Sequence, residues 1–208
     1  MGERMTRNSS SPGRPRNPAI DEAILKIALE LFLEQGADGV NFEQLSKRTG
    51  ISRATIYRRW KTRGELLNAT LQSARTSTVR DPEAVMRMAP NELLSFLEDT
   101  IVAGLMSPIL RKLLAQLIGA LASHPGLLAT YCRHTIEPGW QTLHQAIEKA
   151  RLAGIIQTPH DQEILRDLLA GAIVHRLISR TGRPKVEVER AWVKRLMGQV
   201  GLSDHPLS

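Results

Sequence analysis

A single cysteine, Cys132, stands in the 208 residues, so no disulfide can form within the chain and a reducing compartment suits it. No apolar stretch approaches the ~20 residues that span a bilayer, and the Arg/Ser/Pro-rich N-terminus has no signal-peptide core. The expectation is a soluble, cytoplasmic protein with no membrane partner. Strand-like alternation of useful length is missing, which leaves an all-α chain. A Gly-rich phosphate loop and a His-Glu-x-x-His pair are missing too, and the histidines (His124, His134, His144, His160, His175 and His205) form no metal-ligand cluster. Cys132 has His134 two residues away, but on a helix such neighbours point in different directions, and nothing supports a nucleophile. The chain therefore reads as no enzyme, with no metal and no cofactor. A basic membrane-surface protein needs a basic amphipathic helix with a free apolar face, whereas the apolar stripes here are expected to be taken up by packing.

Positive charge is what the sequence has in excess. Lys and Arg number 28 against 21 Asp and Glu, a formal charge of +7. Residues 1–63 carry 12 cations against 7 carboxylates, while residues 64–208 carry 16 against 14. Within the first part, residues 44–64 hold Lys47, Arg48, Arg53, Arg58, Arg59, Lys61 and Arg63 and no carboxylate. Such a one-sign run persists where something anionic compensates it, or else forms a solvated basic face. Hydrophobic residues make up 42%, enough for a core without metal or disulfide staples.

Residues 1–16 have little apolar to bury and read as a disordered basic arm. Asn17-Pro18 opens a first helix whose apolar stripe is Ile20, Ile24, Ile27, Ala28, Leu31 and Phe32, stopped at Gly36. Asn41 to Gln44 resembles a capping box and starts a short helix ending near Gly50; Ser52 caps another to about Arg59. Thr62 with Glu65 is a second box, starting a helix through about Arg75. Ser46, Gly50 and Ile56 then stand at the intervals of a helix-turn-helix. A small residue lets the helices cross closely, Gly adopts the left-handed turn, and the branched residue plugs the core.

In that arrangement the helix from Ser52 would enter a major groove. Arg53 and Thr55 lie where side chains reach base edges, and Ala54 lets the backbone approach. Tyr57, Arg58, Lys61 and Arg63 fall where they would grip phosphates, and the capped helix starts at Asn41 and Ser52 offer backbone amides. Arg14 and Arg16 could reach an adjacent minor groove. Ile56 reads as core and Trp60 as packing; Tyr57 fits packing or phosphate equally, and Arg59 could be simply solvated.

The run Asn41-Phe-Glu-Gln-Leu-Ser-Lys-Arg-Thr-Gly-Ile-Ser-Arg-Ala-Thr-Ile-Tyr-Arg-Arg-Trp60, followed by Arg63 and Glu65-Leu66-Leu67, resembles the tetracycline-repressor-like (TetR/AcrR) family over residues 14–70. Asn41 stands where Thr is common there, Trp60 where Phe is usual and Arg63 where Lys is usual; each keeps the type of chemistry. The resemblance implies that Tyr57 and Arg63 contact phosphates, and that the protein is a ligand-responsive repressor binding a near-palindromic double-stranded DNA operator as a homodimer. It also implies an N-terminal three-helix helix-turn-helix domain (17–63) and a C-terminal helical effector-binding and dimerisation domain (64–208). From His124-Pro125-Gly126 to Arg183-Pro184 the chain resembles one of the family's ligand-binding domains.

Helices are expected at 91–106, from Ser107-Pro108 to Ala122, over 125–153 with a bend at Pro138-Gly139, over 159–180, and from about Lys185 to Val200. The 159–180 helix is apolar on more than one side, so both flanks need covering, either within the subunit or across a twofold axis. The interface expectation is Leu165, Leu169, Ile173, Leu177, Trp192 and Leu196. For the small apolar effector that the resemblance implies, the candidate lining residues are Phe96, Met106, Leu117, Trp140, His144 and His175.

Overall fold

A computed structural model describes residues 18–74, 82–156, 158, 161–180 and 182–202. Every regular element among them is helical. The first is α1 (Pro18–Gly39), whose apolar stripe buries Ile24, Ala28, Leu31 and Phe32. Gly36 kinks α1 without ending it, at φ 73°, ψ −168°. Only glycine takes that conformation cheaply, and a Cβ there would lie 2.8 Å from Gln116 Oε1.

The caps expected from sequence form as local hydrogen bonds. For α2 (Phe42–Thr49), Asn41 Oδ1 accepts from Gln44 N at 2.9 Å, while Gln44 Nε2 turns away and donates to Gln35. Gly50 closes α2 in the left-handed region, φ 70° and ψ 3°, its N–H donating to the Ser46 carbonyl. Ser52 caps α3 (Arg53–Arg59) by accepting from Thr55 N. For α4 (Arg63–Ser73), Thr62 accepts from Glu65 N, and Glu65 reaches back one residue further than a simple box, accepting from Lys61 N at 2.8 Å.

Among the described residues, seven further helices follow. Sequence periodicity missed α5 (Pro82–Arg87), which is too short to show a repeat. It is followed by α6 (Pro90–Met106) and by α7 (Pro108–Gly119), which Ser107 caps. The expected long helix is present as α8 (Gly126–Tyr131), a π-helical turn over Cys132–Ile136, and α9 (Glu137–Leu152). The irregularity thus precedes Pro138 by several residues. A proline ring crowds the carbonyl four positions earlier, here His134, and the wide π turn relieves the conflict. Asp161 caps α10 (Gln162–Ser179), and α11 (Val186–Gln199) follows.

One apolar core runs from Ile24 through Leu202. The helix α1 packs against α2, α4 and α7, while α6 packs against α10 and α11. No single helix among the described residues is long and apolar enough to cross a membrane.

Candidate nucleic-acid interface

Ile56 faces inward on α3 and is 0% exposed, which fixes what the opposite side presents. Arg53, Ala54, Tyr57, Arg58 and, just past the helix end, Lys61 are all exposed. Their spacing puts them on one face of the helix. Tyr57 stacks on Phe42, ring centroids 4.0 Å apart, so α2 props up the ring while about half of it stays accessible. Packing and exposure looked like alternatives for Tyr57 in the sequence; the ring does both. Thr55 is half-buried and its hydroxyl accepts from Ser52 Oγ at 3.0 Å. The Asn41 and Ser52 side chains are occupied in capping, so what they offer outward is the amides of the first turns. Trp60 packs against the core. Arg14 and Arg16 lie outside the described residues.

The cation run is less bare than its sequence suggests. Five of its seven members pair with carboxylates from elsewhere. Lys47 and Arg53 meet Glu43, at 3.2 and 3.5 Å, and Arg48 meets Glu30 and Glu34 of α1. Arg59, for which the sequence left simple solvation open, is largely buried: its Nε binds Asp21 at the start of α1 and its Nη1 donates to the Thr55 carbonyl. That pair anchors the end of α3 to the first helix. Arg63 donates to the carbonyls of Val40 at 3.1 Å and Ala37 at 2.5 Å and to Asp38 at 2.7 Å, closing the end of α1. The Arg63 guanidinium holds the Asp38 carboxyl below its usual range. Of the seven, Arg58 and Lys61 alone keep side chains free of any ion pair among the described residues. Exposed pairs such as Arg53–Glu43 contribute at most about 1 kcal/mol, so a polyanion can displace them.

In the second half the structure redistributes the expected residues. Leu165, Leu169 and Leu177 are buried within the chain, so their side chains cannot reach a partner subunit. The exposed stripe of α10 is the opposite one: Ile164, Leu168, Gly171, His175 and Ile178. Beside it, α11 exposes Val188, Ala191 and Arg195, with Trp192, Leu196 and Ile173 half-buried at the seam. A helix apolar on both sides admits either register from sequence, and packing onto α6 and α7 selected one. His175 is exposed on α10, away from any interior site, and Leu117 is fully buried in the core. Phe96, Met106 and Trp140 are half-buried against the core. His144 is different. Its Nε2 is buried without a hydrogen-bond partner, as are Thr135 Oγ1 in the π turn and Gln162 Oε1 on α10.

Comparison with known proteins agrees with this geometry. Residues 24–70 match the family model described as bacterial regulatory proteins, tetR family. Residues 91–200 match the tetracyclin repressor-like C-terminal domain. The HTH-type transcriptional regulator YdeS of Bacillus subtilis is 28% identical over 169 residues, 81% of this chain and 83% of that protein. The DNA-binding transcriptional repressor TetR of Mycobacteroides abscessus is 24% identical, over 86% of this chain and 90% of that one. In fold, the chain is similar to a TetR-family transcriptional regulator of Mesorhizobium loti: TM-score 0.70, 20% identity, 90% of this chain and 100% of that one. With both halves matched in order, this chain belongs to the TetR family of DNA-binding transcriptional regulators.

Proposed function

We propose that the protein is a ligand-responsive repressor that binds a near-palindromic operator as a homodimer. The carrying observation is the outer face of α3, where Arg53, Ala54, Tyr57, Arg58 and Lys61 stand exposed around a helix held from behind by Ile56 and Arg59. Arg53 and Thr55 read bases. Tyr57, Arg58, Lys61 and Arg63, with the first-turn amides that the Asn41 and Ser52 side chains leave uncapped, hold phosphates, and Arg14 and Arg16 on the arm reach the minor groove. The head is residues 17–63 and the effector and dimer domain 64–208. The repressor reading is supported by the name of the Mycobacteroides relative.

The exposed stripes of α10 and α11 supply the dimer surface: two adjacent helices with bare isoleucine, leucine and valine side chains ask for a self-complementary cover. Changing Leu168 to glutamate sets like charges near the twofold axis, and analytical ultracentrifugation is expected to show monomers. A Leu168→Glu protein that stays dimeric would move the interface elsewhere.

The effector is small and mainly apolar, and the unpartnered atoms of Thr135, His144 and Gln162 give it hydrogen-bonding points. Its signal has a path. Helix α1 rests on α7, where Gln116 Nε2 donates to the Leu33 carbonyl beside the Gly36 kink, and α4 rests on α8. An effector that favours one arrangement of α7 and α8 thereby changes the spacing of the two heads.

Selecting bound sites from a random duplex pool tests the reading: a twofold-related consensus is expected, and enrichment of no sequence sinks it. On the recovered site, Arg63→Ala should weaken all duplexes nearly equally and flatten the salt dependence by about one released counterion per chain. A loss confined to the consensus would make Arg63 a base reader.

A further inference from the structure

At the turn between α10 and α11 the chain carries a second concentration of charge that the head does not explain. A cleft of about 180 Å³ opens there, with Arg111, Arg176, Arg180, Arg183 and Lys185 in its walls against one carboxylate, Glu189. Two of the five cations have structural partners. Arg111 Nη1 donates to the carbonyls of Leu177 and Arg180, both at 2.9 Å, closing the end of α10, where cations are favoured. Arg176 is buried, pairs with Glu189 at 2.5 Å and lies 4.3 Å over the Trp192 ring, so the only carboxylate in the wall is already neutralised. Arg180, Arg183 and Lys185 are exposed at the mouth, and their side chains have no ion pair or hydrogen bond among the described residues. Glu187 is nearby in sequence but does not line the cleft.

We infer that this cleft is an anion site, taking the oxyanion group of a small molecule, a phosphate or a carboxylate. Three observations converge on it. The lining is cationic beyond what its own acid can balance. Arg111 and Arg176, held by their own partners, shape the wall, which leaves the exposed and unpaired Arg180, Arg183 and Lys185 to meet a ligand. The first amides of α11 begin beside Lys185, which forms no side-chain cap for them. Guanidinium forks match both phosphate and carboxylate oxygens two at a time. The cleft has room for one phosphate or a short dicarboxylic acid. None of Thr135, His144 and Gln162 lines this cleft, and its ligand is charged where that effector is mainly apolar.

Calorimetric titration of the full chain with inorganic phosphate and, separately, with succinate, at constant ionic strength set by chloride, tests this and names the source of the oxyanion. One saturable site per chain is expected for at least one of the two. The head could also bind phosphate, so two variants separate the places. Arg180→Gln/Arg183→Gln should weaken binding about tenfold or more, the scale of a lost charge-assisted hydrogen bond, while Arg53→Gln/Arg58→Gln leaves it unchanged. Arg180→Lys/Arg183→Lys, which keeps charge, should retain most of it, and circular dichroism should show all three folded. Without added anion, operator affinity of the Arg180→Gln/Arg183→Gln protein should equal that of the parent. Three results overturn the proposal: neither anion binds, the turn variant binds as well as the parent, or its operator affinity drops, which would make the cleft a DNA contact.

Discussion

Replacing Glu189 by alanine lowers the melting temperature by roughly 6–20 °C at fixed protein concentration, the counterpart of about 3–5 kcal/mol. The carboxylate is 3% exposed and sits on the equally buried Arg176, which is 8% exposed. Alanine removes the anion but cannot release the cation, because the guanidinium is held between α10 and the Trp192 ring. A buried charge without its partner is costly; a buried pair exchanged for well-packed apolar groups is not. The double variant Arg176→Met/Glu189→Leu is therefore expected to recover most of the loss. Differential scanning calorimetry on the three proteins decides it. If Glu189→Ala melts within a degree or two of the parent, water reaches the guanidinium and the pair does not clamp α10 to α11.

Arg53→Ala is expected to weaken operator binding by about 1–3 kcal/mol per half-site, so roughly 2–6 kcal/mol for a dimer whose two half-sites add. The side chain is 57% exposed and its one partner, Glu43, is 3.5 Å away and shared with Lys47, so the folded head loses little by its removal. The loss should fall on the consensus duplex and relax preference at one base pair in each half-site, with binding to unrelated duplex nearly unchanged. Fluorescence anisotropy against both duplexes, at one stated salt concentration, separates the terms. Equal losses on both would assign Arg53 to the phosphate backbone and leave Thr55 and the shape of the duplex to carry sequence preference.

The pattern of what could be read from the chain follows the reach of each interaction. Caps at Asn41, Ser52, Thr62 and Ser107 join atoms three residues apart, and Gly50 needs only its own φ, so residue order suffices to place them. The head was legible for that reason, down to the inward side of α3. The second half was legible as helices and much less as faces. Its π turn could not be placed, because Pro138 announces a conflict but not where the backbone widens to resolve it. The cleft at the α10–α11 turn joins positions from Leu105 to Glu189, and only the closeness of Arg180, Arg183 and Lys185 could have hinted at it.

By itself the sequence determined an all-helical chain, the capped boundaries of α2, α3 and α4, and the family to which they belong. Tertiary structure alone decided which cations are already answered. Asp21, Glu30, Glu34 and Asp38 come to the basic run from 14 to 38 positions away, through the packing of α1 on the head. It alone decided also that Leu165, Leu169 and Leu177 face inward while Ile164, Leu168 and Ile178 face out. A helix greasy on two sides carries no local signal for which side its neighbours will cover; that choice belongs to α6 and α7, and it exists only once they have folded against it.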